Sequence, residues 1–104
     1  MKEEQWKVIE DYLCVKMPKE VDHHSAAGIS HKVDDFIYSQ KINHIVFDFS
    51  ETEFMDSSGI GILAGRYKKI QCFHGKVYVI NANDQINRIL LLSGIQKYVV
   101  IMKD

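Results

Sequence analysis

Ile45-Val46-Phe47-Asp48-Phe49, followed after a short loop by Phe54-Met55-Asp56-Ser57-Ser58-Gly59-Ile60-Gly61, is the stretch from which the rest of the chain can be read. The first run is nearly continuous in apolar residues, as in a parallel strand or one covered on both faces. The second leads into a helix-patterned segment that ends near Ile70. Asp56, Ser57 and Ser58 therefore fall where a strand's loop hands over to a helix N-terminus. That end exposes unpaired N–H groups and the positive end of the helix dipole. A hydroxyl placed there can accept a phosphate that the helix end helps to hold. No comparable set of nucleophile, base and metal ligands accompanies it, which points to a switch rather than an enzyme.

Working outward, Trp6 to Ile9 and Tyr12 to Met17 read as two strands joined by a tight turn at Glu10-Asp11. Pro18 stops the second, because proline cannot donate to a ladder. Asp22 to Ser25 supplies helix N-cap chemistry, and Ile29, Val33, Phe36 and Ile37 then recur at helical spacing. His44 to Phe49 is the third strand. The second helix is expected from Ser58 or Gly59 to about Ile70, with Ile60, Leu63, Ala64, Tyr67 and Ile70 inward. Ser58 reads as its N-cap, leaving Ser57 free to project, while Phe54 and Met55 anchor the loop to the core.

Lys76 to Ile80 is the fourth strand. Asn83 or Asp84 caps a third helix with Ile86, Ile89, Leu90 and Leu91 inward, and Gly94 closes it as a C′ glycine. Tyr98 to Met102 is the last strand. The order ββαβαβαβ describes a single α/β domain over residues 1–104 with a mostly parallel, mixed sheet and an N-terminal strand pair. Sites in such sheets favour the carboxyl ends of the strands. Both the Glu20–His24 and the Glu51–Ser58 loops leave from such ends.

Composition excludes several classes. The 104 residues carry 46% hydrophobic and 26% charged side chains and a formal net charge of −1. That balance indicates neither a nucleic-acid footprint nor a polybasic membrane surface. No segment approaches the ~20 apolar residues of a membrane span. Met1 to Trp6 lacks the apolar core of a signal peptide, so a cytoplasmic location is expected. Cys14 and Cys72 stand far apart without a CxxC spacing and give no metal or redox motif.

Other motifs fail on context. Gly59-x-Gly61-x-x-Ala64 matches the dinucleotide fingerprint on paper, but that fingerprint needs its glycines directly after the strand, and about nine residues intervene here. Asp22, His23, His24 and His31 fit no standard metal-ligand spacing. Arg66, Lys68 and Lys69 form a short basic patch that suits a helix C-terminus. Gly61 and Gly65 are four apart and leave one helix face bare, at about 1 kcal/mol each relative to alanine. Close packing on a neighbouring element and close approach of a partner both account for them.

At these residues the chain resembles a known family. Phe54 to Gly61, followed by Gly65-Arg66-Tyr67-Lys68-Lys69-Ile70, is similar to the phosphorylation loop and second helix of STAS-domain anti-sigma factor antagonists, particularly those acting on the anti-sigma F factor of spore-forming bacteria. Glu20-Val21-Asp22-His23-His24-Ser25-Ala26 resembles that family's second-strand-to-first-helix motif, and the likeness covers about residues 6 to 102. The resemblance implies a STAS-like domain whose unphosphorylated form binds an anti-sigma factor and thereby frees a sigma factor. It implies that this partner is a serine kinase, that phosphorylation releases it, and that a serine phosphatase restores binding. Ser57 then matches the phosphoacceptor. Glu20, Asp22, His23, Asp56, Ser58, Gly61 and Arg66 fall on the partner-facing surface. No cofactor, metal, nucleic acid or membrane partner is implied, and a monomer or weak dimer is expected. Members commonly continue into a C-terminal helix, which this sequence lacks or keeps very short. Two other readings use the same rim: a small-ligand or nucleotide sensor, and a constitutive interaction domain.

Overall fold

The computed structural model describes residues 5–102. A hairpin opens it: β1 (Trp6–Ile9) runs antiparallel to β2 (Tyr12–Lys16), with Glu10 at φ 56° in the turn. After Pro18 the chain enters a two-residue strand, β3 (Glu20–Val21), and then α1 (His23–Gln40). β4 (His44–Asp48) lies parallel to β2. A second short strand, β5 (Phe54–Met55), precedes α2 (Ser57–Ile70). β6 (Val77–Ile80), α3 (Asp84–Ser93) and β7 (Val100–Ile101) complete the chain, with 3₁₀ turns at Gln71–Phe73 and Ile95–Lys97.

The main sheet has the order β1-β2-β4-β6-β7, antiparallel only at β1-β2. Each parallel connection moves one strand along in the same direction. Right-handed crossovers therefore set all three helices on one face. Burial follows from this: Leu13 and Val15 on β2, Ile45 and Phe47 on β4, and Val77 and Val79 on β6 are fully buried. Their alternate neighbours Cys14, Val46 and Tyr78 stay partly exposed. So the apolar run 45–49 marks a parallel strand, and its complete burial is confined to the helix face.

α1 buries Ile29, Val33 and Ile37, and Phe36 stacks on Trp6 with ring centroids 5.8 Å apart. α3 is capped by the Asn83 side chain, which accepts from Ile86 N–H at 2.8 Å, and ends at Gly94 with φ 79°. That left-handed conformation is cheap only for glycine. Ile86 and Leu90 are buried, whereas Leu91 is turned outward.

Besides Leu91, which was expected inward, three further expectations need correction. Ser58 does not cap α2; Asp56 does, accepting from Ser58 N–H at 2.8 Å. β5 holds the backbone extended through Asp56, so the helix begins one residue earlier than its apolar pattern suggests. The buried face of α2 is also rotated: Gly59, Ile62, Leu63, Arg66 and Ile70 are inward, while Ile60, Ala64 and Tyr67 lie at its border. Phe54 does not anchor the loop, since its side chain is 48% exposed while Met55 takes the buried place. Past β7 only Met102 is described, and it is not helical.

Candidate functional site

The pairing of two short strands builds the rim that holds the serines. β3 and β5 lie parallel, with Glu20 beside Phe54 and Val21 beside Met55. Backbone bonds continue the ladder at both ends, from Glu53 N–H to Lys19 C=O at 2.8 Å and from Asp56 N–H to Val21 C=O at 3.1 Å. The next residue on each strand is an aspartate, and each aspartate caps a helix. Asp22 and Asp56 thus stand about one strand spacing (~4.8 Å) apart in the backbone, and α1 and α2 begin side by side. The two loops joined in this way are 34 residues apart in sequence, taking Asp22 to Asp56.

Each cap has its own chemistry. Asp22 Oδ1 accepts from the N–H groups of His24 at 3.0 Å and Ser25 at 3.1 Å. Ser25 Oγ returns a bond from Asp22 N–H at 3.0 Å, completing a capping box. The Ser25 N–H above all, then that of His24, holds the Asp22 carboxyl below its ordinary pKa by stabilising the ionised form. Asp56 spends Oδ1 on Ser58 N–H. Ser57 occupies the first helical position of α2 and is exposed, whereas Ser58 is half-buried. The hydroxyl at the tip of the rim is therefore that of Ser57.

The glycines of α2 divide into two kinds. A Cβ on Gly59 would overlap Met55 Sδ, so this glycine exists for packing and lets Met55 lie under the helix start. From sequence Gly59 stood out only within a glycine pattern that fails as a dinucleotide fingerprint; the buried neighbour beneath it explains it. A Cβ on Gly61 or Gly65 would meet nothing within 4 Å. Close internal packing therefore does not account for either, and the bare face they leave looks outward.

Glu20 and His23 are exposed on the rim beside these groups, and His24 lies edge-on to His23. Exposed Phe54, which was expected to be an anchor, adds an aromatic to the same edge. Arg66 is not part of it. Its side chain is buried, and Nε stands 3.0 Å from Asp34 Oδ1 of α1. Neither of these two atoms makes a well-directed hydrogen bond, so the pair is a close charge contact. Lys69 Nζ approaches the other Asp34 oxygen at 4.0 Å and Tyr38 Oη at 3.3 Å. Arg66 thus ties α1 to α2, because the helix rotation described above turns position 66 inward.

Among the described residues no group of three His, Cys, Asp or Glu is placed to hold a metal ion, and Asp22, His23, His24 and His31 form no such group. Gly59 and Gly61 lie inside α2 rather than in a strand-to-helix turn. No helix is long and apolar enough to cross a membrane among the described residues.

Residues 5–104 match the sequence model of the STAS domain. The chain belongs to the STAS family. Among its relatives, an anti-sigma F factor antagonist of Paenibacillus polymyxa is 36% identical over 89 residues, which are 86% of this chain and 76% of that protein. The STAS fold recurs in the unphosphorylated form of the anti-sigma factor antagonist SpoIIAA, with a TM-score of 0.78 at 24% identity over 96% of this chain and 87% of that one. The phosphorylated form of the Bacillus cell fate determinant SpoIIAA matches with a TM-score of 0.75 at 24% identity, covering 96% of this chain and 91% of that one. A putative anti-sigma factor antagonist of Thermotoga maritima matches with a TM-score of 0.84 at 23% identity, covering 95% and 85%. This STAS domain is a single α/β unit with a mixed sheet, like those structures.

Proposed function

We propose that this STAS domain is an anti-sigma factor antagonist switched off by phosphorylation of Ser57. In its unphosphorylated form it binds an anti-sigma factor that is also a serine kinase, and so releases a sigma factor. A serine phosphatase resets it. The names of its relatives support the class of function, and those from spore-forming bacteria favour a sporulation pathway; the reading places the protein in the cytoplasm. The observation that carries the switch is the exposed Ser57 hydroxyl at the start of α2, on a rim where two aspartate-capped helices begin together.

The electrostatics suit such a switch. A phosphate brings about −1.5 to −2 charges. Within the antagonist the α2 N-terminus offsets part of this charge. In a complex the phosphate would be desolvated beside Asp56, with Asp22 one strand away. A loss of ~3 kcal/mol there weakens binding more than a hundredfold without any conformational change. Glu20, Asp22, His23, Asp56, Ser58 and Gly61 form the proposed contact surface, and Arg66 acts behind it by holding α1 against α2.

The test is intact-mass measurement after incubation with ATP and the anti-sigma factor encoded nearest this gene. Wild type should gain one phosphate and Ser57→Ala none. Ser57→Ala should bind the partner like wild type, and Ser57→Asp poorly. Equal binding by the two variants, or phosphate on Ser57→Ala, would refute the assignment.

A further inference from the structure

We infer that the partner's contact continues beyond the Ser57 rim, along α2, into a groove that takes an apolar or aromatic side chain flanked by a carboxylate. This rests on the function proposed above and names the chemistry of the partner segment. The groove, of about 350 Å³, lies between α2 and the turn after α3 and is lined by Ala64, Tyr67, Lys68, Gln71, Ile95 and Tyr98.

Helix geometry connects it to the switch. At 100° per residue, positions 57, 61, 64, 68 and 71 stay within ~40° of one line along α2, over ~21 Å. Ser57, Gly61, Ala64, Lys68 and Gln71 therefore share one face, and the last three are groove lining. Between the serine and the groove this face is bare at Gly61, where a Cβ would meet nothing within 4 Å. A segment seated on the rim can run down α2 without obstruction.

The groove's own chemistry selects the occupant. Its lining includes the buried Ile95, and the rings of Tyr67 and Tyr98 pack on each other at 5.5 Å, tilted by 48°, to form one aromatic wall. Tyr98 is 57% exposed, a large aromatic surface left open to water. Lys68 is the one charged lining residue, and it enters no ion pair among the described residues. An apolar slot with an uncompensated ammonium on its lip complements an apolar anchor next to an acidic residue. Aromatic anchors in pockets of this kind carry most of the energy of many interfaces.

The experiment measures affinity for the anti-sigma factor encoded nearest this gene, by calorimetry on the full chain. Tyr98→Ala, Lys68→Glu and Gly61→Leu are compared, each checked for a melting temperature no lower than that of wild type. A photo-crosslinking phenylalanine analogue in place of Gln71 reads proximity independently of energy. Tyr98→Ala and Lys68→Glu should each weaken binding tenfold or more, and position 71 should cross-link to the partner. If Gly61→Leu abolishes binding while the two groove variants bind like wild type and no cross-link forms, the groove inference is overturned and the rim assignment survives. If wild type itself does not bind, both fall. A cross-link from position 71 to a second copy of this chain would overturn the inference in favour of self-association.

Discussion

Gly61→Ala separates folding from binding on one methyl group. Gly61 sits in the interior of α2, is exposed, and has helical backbone, since Gly94 is the only glycine with positive φ among the described residues. A Cβ there touches nothing. Alanine should therefore recover the full propensity difference, about 1 kcal/mol, which raises the melting temperature by roughly 4 °C or more in a domain of this size. Gly59→Ala should do the opposite. Its Cβ would overlap Met55 beneath the helix start, and forcing Met55 aside costs about 1–3 kcal/mol. Thermal and urea melts of the two variants read these signs directly. Calorimetry with the anti-sigma factor completes the comparison. If the bare face exists for close approach of a partner, Gly61→Ala binds at least tenfold more weakly although it is more stable, a loss of about 1.4 kcal/mol. A destabilised Gly61→Ala would refute the account of α2. A stabilised variant that binds normally would refute the account of why the glycine is there.

Three further outcomes follow from the site. Asp56→Ala should cost about 1 kcal/mol by removing the α2 cap, whereas Ser58→Ala should leave the urea midpoint nearly unchanged. Arg66→Ala should cost about 2 kcal/mol, less than the 3–5 kcal/mol of a fully buried pair because Asp34 retains contact with water; phosphorylation of Ser57 by the kinase should persist in the folded fraction, as mass analysis would show. The lowered pKa of Asp22 means that its stabilisation is complete above the unfolded value near ~3.9 and is lost as pH falls through the folded value. Asp22→Asn should flatten that acid limb in urea midpoints measured from pH 6 to pH 2, and an unchanged limb would show that the cap does not depend on the charge.

Much of the fold was legible because local patterns and covalent constraints agree along the chain. The hairpin, the Asp22 cap, the parallel strands and the Gly94 stop each depend on a few neighbouring residues. The pair of serines before a glycine-rich helix was likewise readable, as were the two loops leaving the same end of the sheet. Their actual contact was not. β3 and β5 are two residues each, too short for a periodic signal, and each exists only because the other lies beside it. That pairing turned Phe54 outward, moved the cap of α2 from Ser58 to Asp56, and set two helix starts together.

Sequence alone pointed to Ser57 as the candidate switch hydroxyl, since a serine pair where a strand's loop meets a helix is a local pattern, but it assigned the cap to Ser58 where the structure has Asp56. Tertiary structure alone decided what surrounds it. A glycine looks the same in sequence whether it makes room for Met55, as Gly59 does, or leaves a surface open, as Gly61 does. An arginine at a helix border reads as surface until the rotation of that helix is known, and here α1 draws Arg66 inward to Asp34. Propensity and capping act within a few residues of chain, whereas burial and charge contact depend on distances that only packing sets.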